Sequence, residues 1–158
     1  MRAPVIAVCG TSRDETTAMR HAEEVGALLA ERGAIVLCGG LGGVMAGVAR
    51  GVRAGGGMSL GVLPGDDPDE ASTDITVALT TGLGEMRNAL IARCSRAMIA
   101  IGGGYGTLSE IGFALRLGRP VVGLRTWRIQ RADDEAADTV IHRVDSPRDA
   151  VDWVLARV

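Results

Sequence analysis

Not one lysine occurs in this chain of 158 residues; all 17 basic residues are arginine. That absence removes whole mechanisms. A Schiff-base enzyme needs a lysine amine for its carbonyl or pyridoxal partner, and a Walker A site needs one against the β- and γ-phosphates. Aromatic residues are nearly as scarce: Tyr105, Phe113, Trp127 and Trp153 are the whole set. So few leave little for a groove that stacks successive nucleic-acid bases. A net charge of −2 supplies no excess positive charge for a phosphate backbone, so no nucleic-acid partner is expected. Cys9, Cys38 and Cys94 form no C-x-x-C pair, and an odd count suits reduced thiols in a cytoplasm. No apolar run nears the ~20 residues of a membrane span, and the run at residues 5–9 is too short for the core of a secretory leader. The expectation is a cytoplasmic protein without a membrane partner, with residues 1–158 forming one domain.

What the chain has in plenty is glycine, 23 residues in clusters, set among 47% apolar residues. Short apolar runs alternate with amphipathic stretches. Residues 5–9, 34–38, 59–63, 75–79, 97–101, 121–124 and 139–144 read as strands. Helices are predicted over 13–32, 44–53, 85–96, from the turn at 102–107 to about 117, and from 147 to 158. In the first helix Ala18, Ala22, Val25 and Leu29 form one stripe, and Ser12 to Glu15 has the S-x-x-E form of a capping box. In the third, Met86, Leu90, Cys94 and Ala97 are expected on the inner side. Ser146 and Pro147 suit the N-cap and first turn of the last helix. Residues 64–73 read as a surface loop and 131–138 as a polar, exposed stretch. Strands apolar throughout indicate a sheet covered on both faces, and strict β/α alternation implies parallel strands with right-handed crossovers. The expected fold is α/β: a doubly wound, Rossmann-like, mostly parallel sheet of about seven strands. Ligands of such sheets sit beyond the carboxyl ends of the strands.

Three glycine-rich turns fall at those ends: Gly10-Thr11-Ser12, residues 39–43 beginning with Gly39 and Gly40, and residues 102–107. Glycine lets a ligand approach the backbone, and a following helix N-terminus presents unpaired N–H groups suited to phosphate. Tight turns and close packing would use the same glycines. A dinucleotide is disfavoured: Gly10 does not begin a G-x-G-x-x-G, and Cys38-Gly39 stands where an acidic residue should hold the ribose. A mononucleotide or another phosphorylated small molecule fits better.

The stretch Met86-Arg87-Asn88, then the strand at 97–101, then Gly102-Gly103-Gly104-Tyr105-Gly106-Thr107-Leu108-Ser109-Glu110 resembles the Lonely Guy (LOG) family. Its pattern is an R-K pair on a helix followed by P-G-G-x-G-T-x-x-E. The segment from Gly39 to Gly47, with Met45, is similar to the family's earlier glycine turn. The resemblance spans residues 5 to about 124 and departs at Gly102, where the family has Pro, and at Asn88, where it has Lys. It implies a homodimer and hydrolysis of the base–ribose bond of nucleoside 5′-monophosphates, without a cofactor. Similar proteins also include molybdenum-cofactor carriers, which bind a phosphorylated pterin unchanged. Some members carry a lysine-decarboxylase label, which a chain without lysine cannot earn.

The resemblance makes Glu110 the catalytic carboxylate, acting on an oxocarbenium-like transition state. Spacing alone also allows Glu110 to close a T-x-x-E capping box on Thr107. Arg87, placed in a first helical turn against the dipole, calls for an anionic ligand or Glu110 as partner; a solvated arginine offset by Glu85 is the alternative. Gly103, Gly104, Tyr105, Gly106 and Thr107 are the expected phosphate contacts. Gly10, Thr11, Ser12, Gly39 and Gly40 complete the candidate nucleotide site, Ser12 doubling as a helix cap. His21 and His142 stand alone, so no metal site is expected. Cys9 and Cys38 read as small buried hydrophobes. The arginines at 116, 119, 125, 128 and 131 read as a solvated surface balanced by the acidic residues that follow. Ala46, Gly47 and Ala49 offer a face for subunit packing.

Overall fold

The computed structural model describes residues 2–130, 132, 133 and 140–158. Among these residues seven parallel strands form one sheet: β1 (Val5–Gly10), β2 (Ile35–Cys38), β3 (Met58–Leu63), β4 (Val77–Thr80), β5 (Ala97–Ile101), β6 (Val121–Leu124) and β7 (His142–Arg143). Their spatial order is β4-β3-β2-β1-β5-β6-β7. The chain therefore builds outward from β1 in one direction, returns, and builds outward again through β5. The reversal falls between β1 and β5, which pair from Ile6 with Ala97 to Gly10 with Ile101.

Among the described residues five α-helices cover the sheet: α1 (Thr16–Glu31), α2 (Val44–Ala54), α3 (Asn88–Cys94), α4 (Tyr105–Arg116) and α5 (Pro147–Leu155). Successive strand residues point to opposite faces, so the central strands feed two cores. Ile6, Val8, Val36, Cys38, Ile99 and Ile101 pack with α1, α2 and α5. Ala7, Cys9, Leu37, Met98 and Ala100 pack with Ile91 and Ala92 of α3 and Ile111 and Ala114 of α4. This two-sided burial explains why the strands read as apolar without alternation. No described helix is long and apolar enough to cross a membrane.

Helix α1 starts later than the capping-box reading placed it. Its N-cap is Glu15, without a side-chain cap, and Ser12 lies exposed in a preceding loop. The Thr11 hydroxyl accepts the Arg13 N–H at 3.1 Å, a local bond that holds the backbone out of the helix. Strand β4 is shifted from residues 75–79 because Thr76 and Ser59 exchange side-chain-to-backbone bonds, each 3.0 Å. The last helix begins as expected, with the Ser146 hydroxyl accepting the Asp149 N–H at 3.1 Å.

A further correction concerns α3. A 3-10 turn (Gly84–Arg87) precedes it, and the inward residues are Arg87, Asn88, Ile91 and Ala92. Met86 is 71% exposed and Cys94 also faces outward. The tighter turn rotates the helix entry so that a charged side chain, rather than an apolar one, enters the interior. The face expected for subunit packing is used within the chain. Gly47 and Gly51 of α2 lie directly on the α1 backbone, where a Cβ at Gly51 would strike the Glu23 carbonyl, and Ala49 is fully buried. The polar stretch expected at 131–138 lies outside the described residues, apart from the exposed Ala132 and Asp133, as does residue 139 of the expected last strand.

Candidate functional site

The carboxyl ends of β1, β5 and β6 open into a cleft of about 1070 Å³. One wall is the loop of Gly10, Thr11, Ser12 and Arg13; another is the turn from Gly102 to Thr107. The turn runs into α4 with Gly104 as N-cap and no side-chain cap. The first helical carbonyl bond is Leu108 N–H to Gly104 O, at 3.0 Å, so the N–H groups of Tyr105, Gly106 and Thr107 have no helical acceptor. Gly103 has φ +100°, and a Cβ there would collide with the Thr107 side chain. Only glycine permits this turn.

Two side chains from beyond β6 tie the turn down. Thr126 Oγ1 donates to Gly102 O at 2.6 Å, and Trp127 Nε1 donates to Gly104 O at 3.1 Å. Arg125, with φ +50°, and Arg128 also line the cleft. Both are exposed, in keeping with the reading of this arginine stretch as solvated surface, and they border the cleft as well. Both sit beside the anchors that bind the segment to the glycine turn.

Arg87 and Glu110 share the cleft floor. Each is under 10% exposed, at 9% and 7%. Arg87 Nη1 donates to Asn88 Oδ1, and Nη2 donates to Gly39 O at 3.4 Å. Its Nε is buried without a partner, and among the described residues it makes no ion pair. Burial pushes the Glu110 carboxyl up from 4.5 to about 7, opposed by the Arg87 charge and by hydrogen bonding with the Cys9 thiol. Burial also raises both thiols, that of Cys38 to about 12, so neither is a nucleophile at neutral pH. A carboxyl poised near neutrality beside a fixed cation can exchange a proton or stabilise a developing positive charge. Glu110 does not cap α4, because Thr107 is already its third residue.

Gly10, Thr11, Ser12, Gly103, Gly104, Tyr105, Gly106, Thr107, Arg87 and Glu110 thus meet at one cleft. Gly39 and Gly40 do not line it. They lie buried beneath, where a Cβ on Gly39 would press on Met45 Sδ and the Arg87 guanidinium. Asn88 was not foreseen as a site residue. It holds Arg87 and also donates Nδ2 to Ser109 Oγ at 2.9 Å, while Ser109 Oγ donates to Gly106 O at 2.6 Å. The signal was available, since Asn88 and Ser109 flank two candidate residues, but only the fold shows that they meet. Among the described residues no cluster of His, Cys, Asp and Glu side chains is arranged to hold a metal.

A parallel sheet whose strand order reverses beside an open glycine turn defines the Rossmann-like α/β class. The chain belongs to the SLOG cluster4 family, whose model matches residues 3–151. It is 40% identical over 111 residues to a rice (Oryza sativa subsp. japonica) protein named "Probable cytokinin riboside 5'-monophosphate phosphoribohydrolase LOGL9". That match covers 68% of this chain and 49% of the rice protein, so the chain spans about half the relative's length. Among solved structures, the molybdenum cofactor binding protein of Rippkaea orientalis superposes with a TM-score of 0.88 at 30% identity, covering 99% of this chain and 98% of that one. The molybdenum cofactor carrier protein of Chlamydomonas reinhardtii gives 0.82 at 31% identity, covering 99% and 100%. This is a LOG-like protein related to molybdenum-cofactor carriers.

Proposed function

We propose that the cleft binds a phosphorylated, nucleotide-like small molecule at the glycine turn and hydrolyses the base–ribose bond of a nucleoside 5′-monophosphate. The observation that carries this reading is the placement of Arg87 and Glu110, two buried ionisable groups without a salt bridge between them, beside an uncapped helix N-terminus. The phosphate lies on the N–H groups of Tyr105, Gly106 and Thr107, where the helix dipole favours an anion. Binding at this remote group holds the sugar over Glu110. The bond from C1′ to the base nitrogen breaks, its electron pair leaving with the base. Water oxygen then bonds to C1′, and its proton passes by way of the carboxylate to the departing base. Ionised Glu110 is the competent form. The test is release of adenine from AMP, followed chromatographically across a panel of monophosphates; no base release from any of them removes the hydrolase reading.

A second reading is favoured by the near-complete overlap with the molybdenum-cofactor proteins, against half-coverage of the rice protein. In it the same cleft carries a phosphorylated pterin and returns it unchanged. Mass spectrometry of ligand co-purified with the protein, together with thermal stabilisation and no turnover, would select this carrier role. Dimer formation remains part of the proposal, though not through Ala46, Gly47 and Ala49, and light scattering checks it.

A further inference from the structure

Two of the four aromatic residues in the chain stand together on the lip of the cleft. Tyr105 is 83% exposed, an uncommon position for a large ring in a chain so poor in them. Its centroid lies 5.6 Å from that of Trp127, the planes tilted by 36°. Trp127 is fixed: its indole N–H donates to Gly104 O, so the ring cannot turn without breaking a bond to the turn. The other tryptophan is occupied elsewhere. Trp153 stacks on His142 at 4.7 Å, with the Arg157 guanidinium 3.8 Å over its ring.

We propose that Tyr105 and Trp127 form a stacking platform for a flat nitrogen heteroaromatic ring, purine or pterin, on a ligand whose phosphate rests at the α4 N-terminus. This rests on the ligand class proposed above and adds what recognises its ring. Tyr105 supplies both a backbone N–H at the helix start and a ring beside it, so one residue couples the two ends of the ligand. The platform explains why a solvent-facing tyrosine sits within a run of glycines: its backbone must be approachable while its side chain remains in reach of the cleft. Stacking is tolerant of ring identity, since either heterocycle offers a π-face.

The experiment compares three probes by calorimetry on the full chain: formycin 5′-monophosphate, whose ring is joined by a carbon–carbon bond that hydrolysis does not cut, a pterin monophosphate, and ribose 5-phosphate. At least one ring-bearing probe should bind about tenfold or more tighter than ribose 5-phosphate. The preferred ring identifies the natural class. Tyr105→Ala, at a site too exposed to threaten the fold, keeps the backbone N–H and should cost the ring-bearing probes about tenfold more affinity than it costs ribose 5-phosphate. Formycin 5′-monophosphate should also quench tryptophan emission in Trp153→Phe but not in Trp127→Phe. Equal affinity for all three probes, or an equal loss for all three in Tyr105→Ala, overturns the platform alone. Failure of all three to bind overturns the phosphate site along with it.

Discussion

Glycine performs opposite tasks in two regions of this molecule. Between α1 and α2, Gly47 and Gly51 bring helix backbones into contact, and the nearby charges are paired in water: Arg50 with Glu23 at 3.3 Å, Arg53 with Asp74 at 2.9 Å. At the cleft, Gly103 and its neighbours hold a turn whose N–H groups are left open, and Arg87 and Glu110 are buried without a mutual ion pair. Close packing removes polar groups from view; the cleft retains them at a cost of stability. Glycine content alone does not distinguish a seam from a site. The state of the neighbouring charges does.

The strongest break in this contrast is Glu110→Gln. On the cleft side it should lower base release from AMP by about a hundredfold or more, equivalent to at least ~2.7 kcal/mol of barrier. Titration provides the next test. The folded pKa of Glu110, about 7, lies above its ordinary 4.5, so the native state binds the extra proton. That contribution to stability is full below about pH 4.5 and is lost as pH rises through about 7, a span on the order of 3 kcal/mol. Denaturant melts at pH 5 and pH 8 should show the decline, and Glu110→Gln should flatten it. Base release should rise over the same interval, because the carboxylate is the active form. On the seam side, Gly51→Ala should destabilise the fold by about 1–3 kcal/mol without altering ligand affinity, as calorimetry on the folded protein would show. Smallest of all, Arg50→Gln should change stability by less than about 1 kcal/mol, since its ion pair is half-exposed.

The sheet was readable because residues buried on both faces must be apolar throughout, and the strands at 97–101 and 121–124 fall where their apolar runs do. The motif named Arg87 and Glu110 together, and the fold brings both to one cleft. What defeated pattern reading was polarity turned inward. Periodicity sends Met86 inside, whereas the 3-10 turn leaves it exposed and brings in Arg87, which donates to the Gly39 carbonyl. The capping boxes at Ser12 and Thr107 failed for a related reason: the first backbone folds on the Thr11 hydroxyl, and the second lies within a helix already begun at Tyr105. Thr126 and Trp127 were lost among charged neighbours because their role depends on Gly102 and Gly104, more than 20 residues earlier, coming to lie against them.

The strand order also fixes a sequence of events during synthesis. β1 through β4 can pair as soon as they leave the ribosome, yet this half-sheet exposes one edge of β1 and possesses no floor for the cleft. Translation must extend through Ile101 before that edge is closed and through Trp127 before the glycine turn is anchored. The cleft is thus among the last features the nascent chain completes, and a truncation before β6 should give a protein with an open sheet margin and an unanchored glycine turn.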